Sequence, residues 1–237
     1  MNPMYGLGFY MDWTYILVLI GAVLSIAASA KVNSTFQKYQ KVRSASGLTG
    51  AEAASRILSQ AGIYDVRIEH ISGNLTDHYD PKNKVLRLSD ATYASPSVAA
   101  VGVAAHECGH ALQHNDGYAP LKIRSALVPA ANIGSKMGIP IIILGVILSY
   151  NATLIQLGIW VFAIAVLFQL VTLPVEFNAS GRAMSILEGQ GILGSTEIRQ
   201  CRKVLSAAAL TYVAAAAASI LQLLRLVILF GGKNDRD

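Results

Sequence analysis

Two histidines and a glutamate lie within one helical turn near the middle of the sequence. His106, Glu107 and His110 form a His-Glu-x-x-His pattern. On a helix, residues four apart share a face, so both imidazoles can bind one metal ion. Zinc suits such nitrogen ligands without a redox role, and the glutamate can reach water held by that metal. The pattern therefore predicts zinc-dependent hydrolysis, with Glu107 as the general base.

The residues around this pattern predict that it lies on a buried helix. Ser97 opens a run of small and apolar residues that continues to His114, and Gly117 follows the run. Burying two histidines and a glutamate without a partner would be costly, which argues against a merely polar patch on a surface helix. Cys108 falls inside the pattern but off the ligand face, so we expect a small packing residue there.

The overall composition indicates that part of the chain lies in lipid. Of 237 residues, 53% are hydrophobic and only 14% are charged, whereas soluble domains carry roughly 25% charged residues. These values exclude a disordered chain, a coiled coil and an ordinary cytosolic enzyme. With only two cysteines, a small disulfide-stabilised scaffold is excluded as well.

The apolar residues are concentrated in four runs, which we predict to be membrane spans. The second and third runs form a hairpin around Asn151, and Pro174 closes the third run. The fourth run is more polar, and two readings stay open: a full span, which we favour, or one half packed on the soluble part and the other at the interface. The predicted spans cover residues 13–30, 133–150, 154–173 and 204–230.

Basic residues predict the orientation of these spans. They follow the first span, precede the second and separate the third from the fourth, whereas the Asn151 turn has none. The positive-inside rule then places the N-terminus outside and residues 31–132 and 175–203 in the cytoplasm. Residues 28–30 resemble a signal-peptide cleavage site, but the basic cluster follows the apolar run, so we expect an uncleaved span. This topology and attraction to anionic lipid explain the net charge of +5, and no nucleic-acid partner is expected.

The hairpin also bears on the third metal ligand, which a catalytic zinc site needs besides an open position. Glu176 is favoured, because the hairpin returns to its starting face and brings residue 176 back beside the two histidines. His114 is rotated by about 80° from His106 on the same helix and is a poor ligand. The candidates downstream of the pattern are His114, Asp116, Glu176, Glu188 and Glu197.

The predicted cytoplasmic part mixes helix and strand. Thr49 and Glu52 form a capping-box pattern that starts a helix near 50–61. Apolar residues between 66 and 71 indicate a short strand, and residues 84–88 a second one after a turn at 80–83. We expect this second strand to be an edge that could pair with an extended peptide.

Seven segments in one order resemble the neutral zinc metallopeptidases of bacterial membranes of the YugP type. The resemblance implies a membrane peptidase in which His106, His110 and Glu176 bind zinc and Glu107 is the base. The segments are residues 46–52, 64–67, 77–80, 83–89, 97–114, 173–180 and 207–213.

A more distant likeness is to the membrane gluzincins related to HtpX and the CAAX prenyl proteases. Those proteins place an aspartate four residues after the glutamate ligand, where it orients a histidine. Here that position is Ser180, a shorter and weaker partner. The group that orients His106 therefore stays open among Asn178, Asp90 and Ser180.

Together these features predict a mostly α integral membrane protein. It has three or four transmembrane helices and a small α+β gluzincin-like zinc domain with one zinc per chain. The expected activity is that of a metalloendopeptidase acting on peptides or membrane proteins at the lipid bilayer. Candidate groups for stabilising the oxyanion are Tyr212, His114 and Arg182.

Two alternatives from other classes remain. One is a zinc-binding membrane scaffold or assembly factor without protease activity, although a purely structural site needs no base at position 107. The other is a transporter or channel subunit, although only Lys136 and Arg225 are charged within the predicted spans, which is few for an ion path.

Overall fold

The computed structural model describes residues 12–231. Within this part of the chain six helices and three strands follow one another, and the helix predicted near 50–61 and the long helix after Ser97 are both confirmed. The elements are α1 (Tyr15–Tyr39), α2 (Gly50–Gln60), β1 (Arg67–Ile71), β2 (His78–Asp80), β3 (Val85–Ser89), α3 (Val98–Asn115), α4 (Ala119–Ile147), α5 (Ala152–Gly189) and α6 (Ser195–Phe230).

Four helices are long and apolar enough to cross a membrane, namely α1, α4, α5 and α6. The fourth apolar run belongs to one continuous helix, which is long and apolar enough for the full span that we favour. At 1.5 Å per residue, the 38 residues of α5 extend about 57 Å, well beyond a hydrocarbon core of roughly 30 Å. The long helices therefore continue past the predicted spans, and their extensions carry polar side chains into the predicted zinc domain.

Pro174, which closes the third apolar run of the sequence, lies inside helix α5. Proline removes one backbone donor, yet α5 continues through it to Gly189. The residues beyond it are held by burial on one helical face, since Val175, Ala179, Ala183 and Leu187 are fully buried. This packing outweighs the lost hydrogen bond and carries Glu176 onto the same rigid helix.

The predicted hairpin of α4 and α5 is confirmed. Ser149 and Tyr150 adopt left-handed backbone conformations in its turn, and the Asn151 side chain accepts a hydrogen bond from the Leu154 backbone. Glycines allow the two helices to approach closely: a Cβ on Gly158 would lie 2.5 Å from the Ile142 side chain. Small residues serve this purpose where apolar helices pack in lipid.

The small sheet has the strand order β1-β3-β2, with β1 parallel and β2 antiparallel to β3. The prediction that residues 84–88 form an edge strand is therefore wrong. Val85, Leu86 and Leu88 are all fully buried, and burial of this kind suits a central strand. The sheet edges belong to β1 and to the three-residue β2.

Helix α3 lies at the centre of the predicted zinc domain. Ser97 caps its start by accepting from the Ala100 backbone, and Gly117 follows its end with φ of +65°. Its apolar face packs with α2, the sheet, α5 and α6 in one core, whose α3 members include Val101, Ala105 and Cys108. A small-residue helix surrounded on several sides can hold polar side chains in fixed positions.

Candidate metal centre

The two histidines of the His-Glu-x-x-His pattern project side by side from α3. Their rings meet edge to face with centroids 4.8 Å apart. His110 is buried and His106 nearly so. The one-turn spacing predicted from the sequence therefore produces two adjacent imidazoles.

Helix α5 adds the Glu176 carboxylate to this pair. Glu176 Oε2 lies 3.2 Å from His106 Nε2 and 3.6 Å from His110 Nε2. One ligand atom from each of the three residues lies within 4.8 Å of the others. Glu176 itself is only 2% exposed, so its charge depends on these partners.

The other four candidates for the third ligand lie away from the two histidines, and one of them, His114, contacts the Tyr79 hydroxyl. Glu197 accepts from the Ala45 and Gly194 backbones, and Asp116 pairs with Arg182. Glu188 is exposed at the end of α5. Among the described residues, Glu176 is the candidate that the fold brings to the two histidines.

This donor set fits a zinc ion. Two imidazole nitrogens and one carboxylate oxygen are a common ligand set of catalytic zinc, which keeps a fourth position open. Ligand atoms about 2.1 Å from zinc at tetrahedral angles are about 3.4 Å apart. The separations of 3.2 and 3.6 Å from Glu176 to the two imidazoles agree with that spacing.

Ser180 is the group that contacts the far nitrogen of His106. Its hydroxyl oxygen lies 3.1 Å from His106 Nδ1. Asp90 instead contacts His70 and the Gly73 backbone, and Asn178 accepts from two other side chains. Among the three candidates left open, the structure therefore selects Ser180, one turn beyond Glu176 on α5.

Sequence reasoning missed Gln113, which holds His110. Gln113 Oε1 lies 3.0 Å from His110 Nδ1, and its Nε2 donates to the Val175 carbonyl and to Asn178 Oδ1. The side chain is completely buried. A signal existed, since residue 113 is a polar side chain one turn after His110 on a helix expected to be buried.

A cleft of about 230 Å³ opens beside the centre. His106, Glu107 and Tyr212 line it, together with residues of α1, α6 and the loop between β1 and β2. Glu107 is 8% exposed, and within residues 12–231 no hydrogen bond or ion pair engages its carboxylate. This carboxylate can therefore accept a proton from water in the cleft.

Of the three candidates for oxyanion stabilisation, one lines the cleft and two contact other groups. Tyr212 lines the cleft with Glu107. His114 and Arg182 contact other groups: His114 Nδ1 lies 2.8 Å from the Tyr79 hydroxyl, and Arg182 donates to Asp116 and Asn178. Their spacing along the sequence did not reveal that their polar atoms have other partners.

Arg124 is a second residue that the sequence did not single out for this site. It comes from α4, and its Nη2 lies 3.9 Å from Glu176 Oε1. The guanidinium thus places a positive charge beside the carboxylate that faces the two histidines. No periodicity argument predicts this contact, because it depends on how α4 packs on α5.

Cys108 has the packing role expected from the sequence. Its side chain is fully buried against α2, with Sγ 3.7 Å from the Ala54 carbonyl oxygen. Burial raises the pKa of this thiol, which disfavours the reactive thiolate.

These features define the class of the protein. Residues 14–231 match the family described as "Putative neutral zinc metallopeptidase", and the chain belongs to this family. With four membrane-length helices around a His-His-Glu centre, it is a membrane protein of the zinc-peptidase class.

The chain is also similar to a bacterial protein that is described as a membrane protease. The chain is 50% identical over 224 residues to the "Putative membrane protease YugP" of Bacillus subtilis (strain 168). The aligned residues cover 94% of this chain and 98% of the relative. No solved structure matches the chain.

Proposed function

We propose that the protein is a gluzincin-type zinc endopeptidase that binds one zinc ion per chain and cleaves peptides or membrane proteins at the bilayer. The observation that carries the proposal is the meeting of His106, His110 and Glu176 beside the carboxylate of Glu107. Two segments separated by a membrane hairpin contribute to one site. A zinc site that only stabilised the fold would not need Glu107 in an adjoining cleft.

The residues of the site then have distinct tasks. When bound, zinc supplies a Lewis acid that polarises a carbonyl and lowers the pKa of water to about 7. Glu107 accepts the proton of the attacking water and later delivers it to the leaving amine. The Tyr212 hydroxyl donates a hydrogen bond to the oxygen on which negative charge develops. Ser180 and Gln113 hold the two imidazoles in the orientation that ligation requires.

The shape of the cleft supports an unfolded or extended substrate. Its walls come from α1 and α6, which are candidate membrane helices, and from the loop between β1 and β2. A volume of about 230 Å³ accommodates side chains of an extended segment but no folded domain. We therefore propose peptides and membrane-protein segments near the lipid surface as substrates.

We further propose that the N-terminus and the turn between α4 and α5 lie outside a bacterial cell and that the zinc domain lies in the cytoplasm. The distribution of lysine and arginine supports this orientation. Both native cysteines are buried, so introduced ones can be labelled selectively. A membrane-impermeant maleimide should label Ala152→Cys in intact cells and Lys82→Cys only after permeabilisation, and the reverse pattern would overturn the orientation.

The function itself can be tested with the purified full-length chain in detergent. We expect it to contain one zinc and to cleave an unfolded polypeptide such as casein. A zinc chelator should abolish cleavage, its non-chelating isomer should not, and added zinc should restore it. A zinc-loaded chain that cleaves neither casein nor membrane-protein substrates would favour the scaffold alternative, and cleavage by zinc-free protein would exclude the proposed chemistry.

A further inference from the structure

A second cavity lies between α1 and α6, separate from the metal centre. It measures about 560 Å³, and we call it the lysine pocket. Three lysines, three hydroxyl-bearing residues of α1, one serine and two apolar residues of α6 form its walls. They are Lys31, Ser34, Thr35, Lys38, Tyr39, Lys203, Ser206, Ala207 and Leu210.

Each of the two helices lines this pocket with side chains from one of its faces. On α1 the lining residues begin at Lys31 and recur after three, four and seven positions, ending with Lys38 and its neighbour Tyr39. On α6 the same spacing runs from Lys203 to Leu210. Residues with this spacing share one helical face. The pocket is thus formed by two facing helix surfaces.

The positive charge of the lysine pocket is not balanced by carboxylates. Among the described residues, no ion pair involves Lys31, Lys38 or Lys203, and no aspartate or glutamate lines the cavity. All three lysines are exposed. Like charges gathered around one cavity repel each other, so an anion in the pocket would be stabilised.

The pocket lies where the two membrane helices become polar. Lys31 directly follows the uncharged run of residues 13–30, and Lys203 directly precedes the apolar run of residues 204–230. The two helices run in opposite directions, because Gly21 meets Ala218 while Lys31 and Lys203 share the pocket. Its charged groups are therefore at the level of the lipid headgroups, and Leu210 extends its wall toward the apolar side.

We propose that the lysine pocket binds the phosphate headgroup of an anionic phospholipid. The three ammonium groups attract the negatively charged phosphate, and the hydroxyls of Ser206 and Thr35 supply further polar contacts. Leu210, which is 47% exposed, contacts the first part of the acyl chains. Basic pockets between membrane helices are suited to such headgroups. The proposal does not depend on the zinc chemistry.

Direct lipid binding tests this inference without any activity assay. The full chain, purified in a neutral detergent, is titrated with phosphatidylglycerol or with phosphatidylcholine of the same acyl chains, and the bound lipid is counted by native mass spectrometry. We expect phosphatidylglycerol to bind at least tenfold more tightly. Each lysine near an anionic headgroup strengthens binding by roughly fivefold. The triple variant Lys31→Gln, Lys38→Gln, Lys203→Gln should therefore lose at least tenfold in affinity for phosphatidylglycerol.

A matched triple variant separates a specific pocket from a general attraction between basic protein and acidic lipid. Lys41→Gln, Lys82→Gln and Lys136→Gln remove the same charge at exposed positions outside the pocket and should leave the affinity within about threefold. Equal losses in both triple variants would overturn the proposal. If the pocket triple variant does not fold, the single variant Lys203→Gln should still weaken binding about fivefold, and unchanged binding would contradict the proposal.

The source of the phosphate is distinguished by competition. Inorganic phosphate and glycerol phosphate, added at millimolar concentration, should not displace phosphatidylglycerol from the native chain, because they lack the acyl-chain contact with Leu210. Displacement by either of them would assign the pocket to a soluble phosphate compound and overturn the lipid assignment.

Discussion

Gly109 of α3 lies directly against the backbone of Ala179 in α5. A Cβ at position 109 would be 2.5 Å from the Ala179 carbonyl oxygen. Gly109 directly precedes His110, and Ala179 directly precedes Ser180, which contacts His106. The close approach of these two helices is therefore what allows the Glu176 carboxylate to reach both imidazoles.

This contact predicts that Gly109→Ala damages the metal centre without touching a ligand. An added methyl group must displace the α5 backbone by about 1 Å, whereas metal–ligand distances tolerate only about ±0.2 Å. We expect at least a tenfold loss of zinc affinity, measured by competition with a chelating dye, and a loss of about 1–3 kcal/mol of stability.

Gly181→Ala is the matched control for this substitution. Gly181 lies on α5 two residues after Ala179, and a Cβ there would meet nothing within 4 Å. This variant should bind zinc as the native chain does. Zinc affinity that is equally unaffected by both substitutions would show that the Gly109 contact does not position the ligands.

Gln113 provides a second prediction, because it contacts His110 Nδ1, while the other ring nitrogen, Nε2, faces Glu176. Gln113→Leu removes the partner of His110 Nδ1 and leaves the Val175 carbonyl without its side-chain donor. Loss of such partners typically weakens metal binding about 10- to 100-fold. The exposed Gln60, changed to leucine, serves as the control. Native zinc affinity in Gln113→Leu would contradict the orienting role.

Tyr212 is expected to act on the reaction and not on the metal. Tyr212→Phe removes a hydroxyl from the cleft that Glu107 lines, so kcat should fall by about 100-fold while zinc content stays at the native level. The control is Tyr64→Phe, since Tyr64 is 82% exposed. A native kcat in Tyr212→Phe would remove it from the mechanism.

Zinc binding should also depend on pH through His110. Burial lowers the pKa of His110, but its hydrogen bonds to Glu176 and Gln113 and the charge of Glu107 outweigh burial and raise that pKa in the metal-free chain. At pH values above the usual histidine pKa of about 6.5, His110 therefore still holds a proton, and zinc must displace it. Zinc affinity should increase as pH rises through the raised pKa and then level off. An affinity that is constant across this range would contradict the linkage.

The sequence was sufficient for the parts of the site that depend on local periodicity. The one-turn spacing of His106 and His110 and the return of the hairpin to Glu176 follow from helix geometry and the length of the apolar runs. The capping box at Thr49 likewise needs only neighbouring residues, and it forms as expected.

The features that the sequence did not reveal depend on packing between distant segments. The apolar run closes at Pro174, but the helix continues because Val175 and Ala179 are buried. Arg182 was one of three candidates for the oxyanion group; in the structure it pairs with Asp116, and Arg124 from α4 approaches Glu176. The position of β3 in the middle of the sheet also depends on pairing with β1 and β2, which no local pattern determines.

The central claim, that Glu107 performs proton transfer beside a zinc ion held by three other residues, is tested most directly by zinc content and peptide hydrolysis in Glu107→Gln. We expect this variant to retain one zinc per chain and to lose hydrolysis by at least 100-fold. Glu188→Gln, a matched change at an exposed position of α5, should retain both zinc and activity. Chelator-sensitive hydrolysis at the native rate in Glu107→Gln would contradict the account.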